Sequence, residues 1–291
     1  MESSAGATAR RGKCAPAPAR LPGFGGQARW KGYSVRRIGA LMTAAILVVA
    51  AGCGQLAWRE DHFPFEQGYA AMEAGRWHEA AEAFTTFLQA HPGSPARGEA
   101  YYYRGLARVR LGARDEALAD FQHAVRAAPP PPIDAYANVA IGNLHYEAGE
   151  DREAVLAYAR VLKNPPDDLP LERVLLRLAI SLQRIGKWRS ADTYLAYVME
   201  HYPKTAAAAE ARRRYQAGAF SVQTGAYASS TGASREAARL RSAGFQPRLG
   251  MTERNRKRFH TVRVGRSQTH AEAVALAKRI GAAGFATWVV P

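Results

Sequence analysis

Three regimes of hydrophobic patterning follow one another along the chain. Up to residue 34 the apolar residues show no period, in a segment rich in Ala, Gly, Pro and Arg, and an uncharged apolar run, Ile38 to Ala51, then follows directly on Arg36 and Arg37. Between residues 61 and 203 the pattern is helical and returns every 37 residues, the signature of stacked supersecondary units. From Phe220 onward apolar and polar residues alternate, which places successive side chains on opposite faces of a strand. The predicted organisation is a leader over 1–52, a tether over 53–60, a helical repeat array with a closing helix over 61–217, and a small α+β domain over 218–291.

The repeat is fixed by small residues and prolines. Gly75, Gly112, Gly149 and Gly186 are 37 apart, as are Ala80, Ala117, Ala154 and Ala191, and as are Pro92, Pro129, Pro166 and Pro203; Gly68, Gly105, Gly142 and Ala179 form a fourth series. Each unit predicts two helices with a turn at the second Gly and a stop at the Pro, since proline cannot continue a helix. Phe84, Phe121, Tyr158 and Leu195 fill the space between them. Thr205 to Gln216, Ala-rich and then Arg-rich, predicts the solubilising helix that ends such a stack. These spacings resemble the tetratricopeptide repeat (TPR). That unit is normally 34 residues, and the three extra residues belong in the loop between units, as in His91-Pro92-Gly93-Ser94-Pro95. The resemblance implies an all-α superhelix whose concave face is lined by the first helix of each unit, with Tyr69, Tyr102, Asn143, Tyr146 and Gln183 looking into a groove suited to a protein or peptide. The alternative is that these tyrosines pack between hairpins, as Tyr101 and Tyr103 are expected to do.

The C-terminal region repeats itself at an offset of 40: Val222 and Gly225 recur as Val262 and Gly265, and Ala243-Gly244-Phe245 as Ala283-Gly284-Phe285. Strands near 219–227 and 245–250 around a helix near 233–243, made twice, give βαββαβ with both helices on one sheet face. Phe220, Val222, Phe245, Val262, Val264 and Phe285 then point toward the helices. Gln223, Gln246, Arg248, Phe259, Thr261, Arg263 and Trp288 point away, a platform of flat aromatics and donors able to stack on a sugar ring or a nucleobase. Phe220-Ser221-Val222-Gln223-Thr224-Gly225-Ala226-Tyr227, the two Ala-Gly-Phe endings and Thr261-Val262-Arg263-Val264-Gly265 resemble a SPOR domain. That resemblance implies binding to septal peptidoglycan stripped of stem peptides, with Gln223 and Phe259 at the family's ligand-contacting positions. The family's usual Arg before Val-x-Val-Gly is Thr261 here, and its frequent Ser is Ala226.

Charge sharpens this picture. The net +15 of the 291 residues divides into +7 over 1–52, −1 over 53–218 and +9 over 219–291. A strongly basic block has a physical reason to prefer glycan whose stripped muramic acids carry free lactyl carboxylates. A basic βαββαβ sheet with exposed aromatics also describes an RNA-recognition fold, but export, and a third strand without paired aromatics of the Gly-Phe-Gly-Phe type, argue against nucleic acid. A third reading is an outer-membrane protein assembly scaffold whose SPOR-like domain binds nothing.

The fourteen-residue run after Arg36-Arg37 is too short to span about 30 Å of hydrocarbon, which takes about twenty residues, and it fits a signal peptide. Its ending Ala50-Ala51-Gly52-Cys53 resembles the bacterial lipobox, with Ala50 in place of the commoner Leu. The resemblance implies acylation of Cys53, anchorage to a membrane, and the outer membrane in particular, since Gly54 is not the Asp that retains some lipoproteins at the inner one. The long segment before the run predicts true initiation near Val35, which would leave Cys14 untranslated. Two cysteines exclude a disulfide framework, eight histidines are scattered singly, and no nucleophile set, metal motif or phosphate loop is present. The expectation is a non-enzymatic protein with no cofactor and no metal.

Overall fold

The structure is a computed structural model that describes residues 63–129, 132–254 and 256–291. The leader, the tether and the lipidation expected at Cys53 lie outside the described residues. Eight helices form four hairpins: α1 Phe63–Glu73 with α2 Trp77–Ala90, α3 Arg97–Arg110 with α4 Arg114–Arg126, α5 Ile133–Ala148 with α6 Asp151–Val161, and α7 Leu171–Arg184 with α8 Trp188–His201. Helix α9, Ala206–Arg214, closes the stack, its start fixed by Thr205, whose hydroxyl accepts from the N–H of Ala208, the bond a helix N-cap supplies.

The hairpin turns are tight because Gly75, Gly112, Gly149 and Gly186 adopt φ between +73° and +82°, a left-handed conformation that glycine tolerates without penalty. The loops between hairpins at 91–96 and 162–170 are longer, so extra residues of the unit lie there as the sequence predicts. Ala80, Ala117, Ala154 and Ala191 are all fully buried, together with Phe84, Phe121, Tyr158 and Leu195. At about 1.5–3 kcal/mol for each large apolar side chain removed from water, this series is the spine of the array.

Residues 220–290 fold as β1 Phe220–Tyr227, α10 Ser230–Ser242, β2 Pro247–Arg254, β3 Lys257–Ser267, α11 His270–Ala282 and β4 Trp288–Val290. The antiparallel sheet has the order β2-β3-β1-β4. Both helices begin about three residues earlier than the hydrophobic period indicates, because Ser229 and Thr269 cap them, accepting from the N–H groups of Gly232 and Glu272. Val222, Val262, Val264, Phe285 and Phe245 pack with Ala233, Ala237, Leu240 and Ile280 into the core beneath the helices. Phe220 belongs to a separate cluster with Trp188, Ala217, Ala273 and Val289, where the repeats meet this domain.

Candidate binding surfaces

The face of the sheet away from its helices carries one continuous cross-strand row. Arg248 pairs with Arg263, Arg263 with Gln223, and Gln223 with Trp288, so that four strands each contribute one residue. The adjacent row holds Gly250, Thr261 and Ala226. Between the two rows β1 bulges, with Thr224 and Gly225 together opposite Val262. The extra residue resets the alternation and brings Ala226, rather than Gly225, onto the open face. Trp288 is 56% exposed, and Gln223 and Arg263 are half-buried beside it. Arg248 reaches along the sheet and donates from its guanidinium to the carbonyl of Gly265 at 2.6 Å.

Two residues expected on this platform are placed differently. Thr261 is on the open face but only 1% exposed, because Phe259 and Arg263 stand on either side of it on the same strand face and Gly250 lies against its hydroxyl. It supports the platform without offering a surface. Gln246 precedes β2 in the loop after α10, exposed and outside the row, since proline at 247 starts the strand one residue later. Phe259 is on β3 opposite Thr252, half-buried.

The five residues expected in the repeat groove also divide. Tyr102 is 5% exposed and packs against Phe121 and Tyr136 at 5.9 and 6.3 Å between ring centroids; burial raises the pKa of its hydroxyl far above the ordinary value. Gln183 is 0% exposed and donates from Nε2 to the carbonyl of Arg214 at 3.0 Å. That bond ties it to the end of α9, so Tyr102 belongs to a seam between hairpins and Gln183 to the seam with the closing helix. Tyr69, Asn143 and Tyr146 remain half-buried. Tyr69 meets Tyr103 edge to face at 5.4 Å, while Asn143 accepts from the hydroxyl of Tyr158 at 2.8 Å and from Arg177 at 2.5 Å. Tyr146 lies under two guanidinium groups, Arg177 at 5.2 Å and Arg184 at 4.6 Å from its ring centre, contacts in which cation and ring quadrupole attract. Neither arginine is among the groove residues that the sequence predicts. Their seven-residue spacing on α7 puts them on one helix face, which is the signal that would have found them.

The repeats and the sheet domain are joined by more than the linker. Trp188, the first residue of α8, packs its ring against Phe220, tilted at 58° with 4.9 Å between ring centroids, and is buried. The N–H of Gln216, in the linker, donates to Asp192 at 3.1 Å. Among the described residues no cluster of His, Cys, Asp and Glu has the makings of a metal site, and no helix is long and apolar enough to cross a membrane.

Comparison with known families agrees with both halves. The tetratricopeptide-repeat family matches residues 65–132 and 107–168, a second tetratricopeptide-repeat model matches 173–205, and the SPOR domain matches 216–291. No curated protein matches the chain. Among solved structures, a tetratricopeptide repeat protein from Parabacteroides merdae is 17% identical, covering 54% of this chain and 59% of its own, with a TM-score of 0.48. YrrB, described as a TPR protein with an unusual peptide-binding site, is 19% identical over 50% of this chain and 70% of its own, with a TM-score of 0.43. Pseudomonas aeruginosa pilF is 18% identical over 52% and 65%, also at 0.43. The chain thus spans less than two thirds of the first and last of these structures. By family match and by fold, the chain carries tetratricopeptide repeats over its helical body and a SPOR domain at its C-terminus.

Proposed function

We propose that this protein is a non-enzymatic adaptor of the cell envelope, which binds glycan strands denuded of stem peptides through its SPOR domain and a protein through its repeats. SPOR domains bind peptidoglycan and tetratricopeptide repeats bind proteins or peptides; both are binding modules, which supports a role without catalysis. The observation that carries the reading is the row Arg248–Arg263–Gln223–Trp288 on an uncovered sheet face. A broad exposed aromatic at one end can stack on a pyranose ring, an amide beside it can bond hydroxyl and N-acetyl groups, and two guanidinium groups can meet the carboxylates left when stem peptides are removed. Acylation of Cys53 would hold this body to a membrane, the outer one on the sequence reading, since buried acyl carbons contribute about 0.8 kcal/mol each.

The test is co-sedimentation of residues 63–291 with purified sacculi, untreated and amidase-stripped, alongside Trp288→Ala and Gln223→Ala. Stronger pelleting with stripped sacculi, reduced in both variants, is the expected result. Equal or absent pelleting with the two preparations would overturn the reading.

A further inference from the structure

At the end of the open sheet face nearest the repeats lies a cleft of about 520 Å³, walled on one side by the sheet and edged on the other by Arg213, at the end of the closing helix, and by the linker residues Ala217 and Ala219. Its lining includes Arg248 and Arg263 from the platform, Ser221 from β1, Arg266 from the end of β3, and Arg213 from α9. Four arginines face this space and no acidic side chain lines it. Nε of Arg263 is shielded from solvent and has no hydrogen-bond partner, so a buried donor stands unused at the floor.

The position of Arg213 is set by the fold. Gln183 holds the carbonyl of Arg214 at the end of α9, and Glu210, one turn back, binds the side chains of both Arg213 and Arg214. Burial pushes the Glu210 carboxyl upward, but the two arginines outweigh it and its pKa falls below the ordinary value. Glu210 therefore remains a carboxylate and orients Arg213 from behind. Arg266 lies against the linker, with its guanidinium 3.6 Å from where a Cβ on Gly218 would sit. Even with Glu210 counted, the charge around the cleft is strongly positive, and concave walls strengthen such a field.

We infer that this cleft is an anion-binding site completed by the repeat domain, in which Arg213 joins Arg248, Arg263 and Arg266 to hold a carboxylate on a sugar chain that runs off the sheet toward α9. The inference rests on the glycan reading above for the identity of its ligand. It goes beyond that reading in assigning part of the site to the helical array, so that the two modules share one ligand-binding surface.

The experiment measures the affinity of residues 63–291 for three soluble probes: amidase-stripped glycan strands, chitooligosaccharides of matching length, which lack the lactyl carboxylate, and oligogalacturonate, a carboxylated chain without N-acetyl groups. The variants are Arg213→Gln, Arg212→Gln as a control that removes the same charge from an exposed neighbour outside the cleft, and Trp288→Ala. Arg213 is 68% exposed along its side chain, so its replacement leaves the fold intact and should weaken binding of stripped glycan about fivefold, the scale of an exposed charge pair. Binding of chitooligosaccharide should not change, and Arg212→Gln should change neither. Trp288→Ala should weaken both glycans. If Arg213→Gln binds stripped glycan like the wild type while Trp288→Ala does not, the cleft is overturned and the platform reading survives. If neither glycan binds the wild type, the glycan reading fails; the cleft then stands on retention of oligogalacturonate that is lost in Arg213→Gln, and falls without it.

Discussion

Trp188 donates its indole Nε1–H to the backbone carbonyl of Gln268 at 2.8 Å, across the junction between the last repeat and the SPOR domain. The bond joins the start of α8 to the residue that precedes the cap of α11. Gly186, at φ +82°, lets the hairpin turn approach the same strand end, where even a Cβ would lie 3.4 Å from that carbonyl. With Phe220 packed on the indole and Ala217, Ala273 and Val289 around it, the open sheet face and the repeat array are held in a fixed relation. On the proposed function, this junction would set a protein partner at one orientation to a bound glycan strand.

Removing the anchor should uncouple the two modules. Trp188→Ala is expected to destabilise by about 3–5 kcal/mol, as for other buried Trp truncations, and to split a single calorimetric transition into two. Trp188→Phe retains the ring on Phe220 and forfeits one hydrogen bond, for about 1 kcal/mol, with the single transition preserved. A single transition in Trp188→Ala, at the wild-type temperature, would show that the junction carries no coupling.

The 37-residue period located every helix of the array, because the small residues that define it are the ones the packing requires. The 40-residue offset likewise gave the four strands and the core beneath the helices. The misses have local causes. A helical period assigns a residue to a face but does not say how deeply a neighbouring hairpin covers it, so Tyr102 and Gln183 were placed in a groove although the adjacent unit and the closing helix bury them. The starts of α10 and α11 were readable from Ser229 and Thr269, whose capping role depends on a polar residue the hydrophobic pattern skips. Trp188 had a trace too. Its equivalents one, two and three periods earlier are Asp151, Arg114 and Trp77; Trp77 is covered by Arg110 at 5.3 Å, and a tryptophan at a mostly polar position marks a surface that something covers. What covers it in the last unit is another domain, which no repeat pattern contains.

The close approach of the paired helices rests on glycine in the first three units. A Cβ on Gly142 would meet Cε1 of Tyr158 at 2.6 Å, well inside contact distance. Alanine ordinarily favours a helix over glycine by about 1 kcal/mol, but overpacking a filled core costs about 1–3 kcal/mol, so Gly142→Ala should destabilise on balance and disturb the bond from Tyr158 to Asn143. The fourth unit shows the compensated version, Ala179 opposite Leu195. Gly142→Ala combined with Tyr158→Leu should therefore recover stability relative to the sum of the single variants, and Gly93→Ala, in open space, should be close to neutral. Denaturant titration of the wild type, Gly142→Ala, Tyr158→Leu, the double variant and Gly93→Ala decides it; strict additivity of the two single changes would sink the packing argument.

The junction should also respond to acid through His270, the first residue of α11. Its ring meets Phe220 edge to face at 5.5 Å, and the charged groups around it are Arg184, Asp151 and Arg214. Burial, aided by Arg184 and Arg214 against Asp151, lowers its pKa below the ordinary 6.5. The folded protein thus favours the neutral imidazole, while the unfolded chain takes up a proton as the pH falls through about 6.5. The stabilisation is complete above that pH and is lost as pH falls through the folded value. Asp151 is shifted the other way, upward by burial despite Arg184. Between pH 7.5 and 5.5 the melting temperature of the wild type should fall more than that of His270→Gln, which keeps a polar side chain but has no proton to gain. Trp188→Ala, with the junction already opened, should lose the difference. Parallel slopes for wild type and His270→Gln would mean that the imidazole is as free to charge in the folded protein as in the unfolded chain.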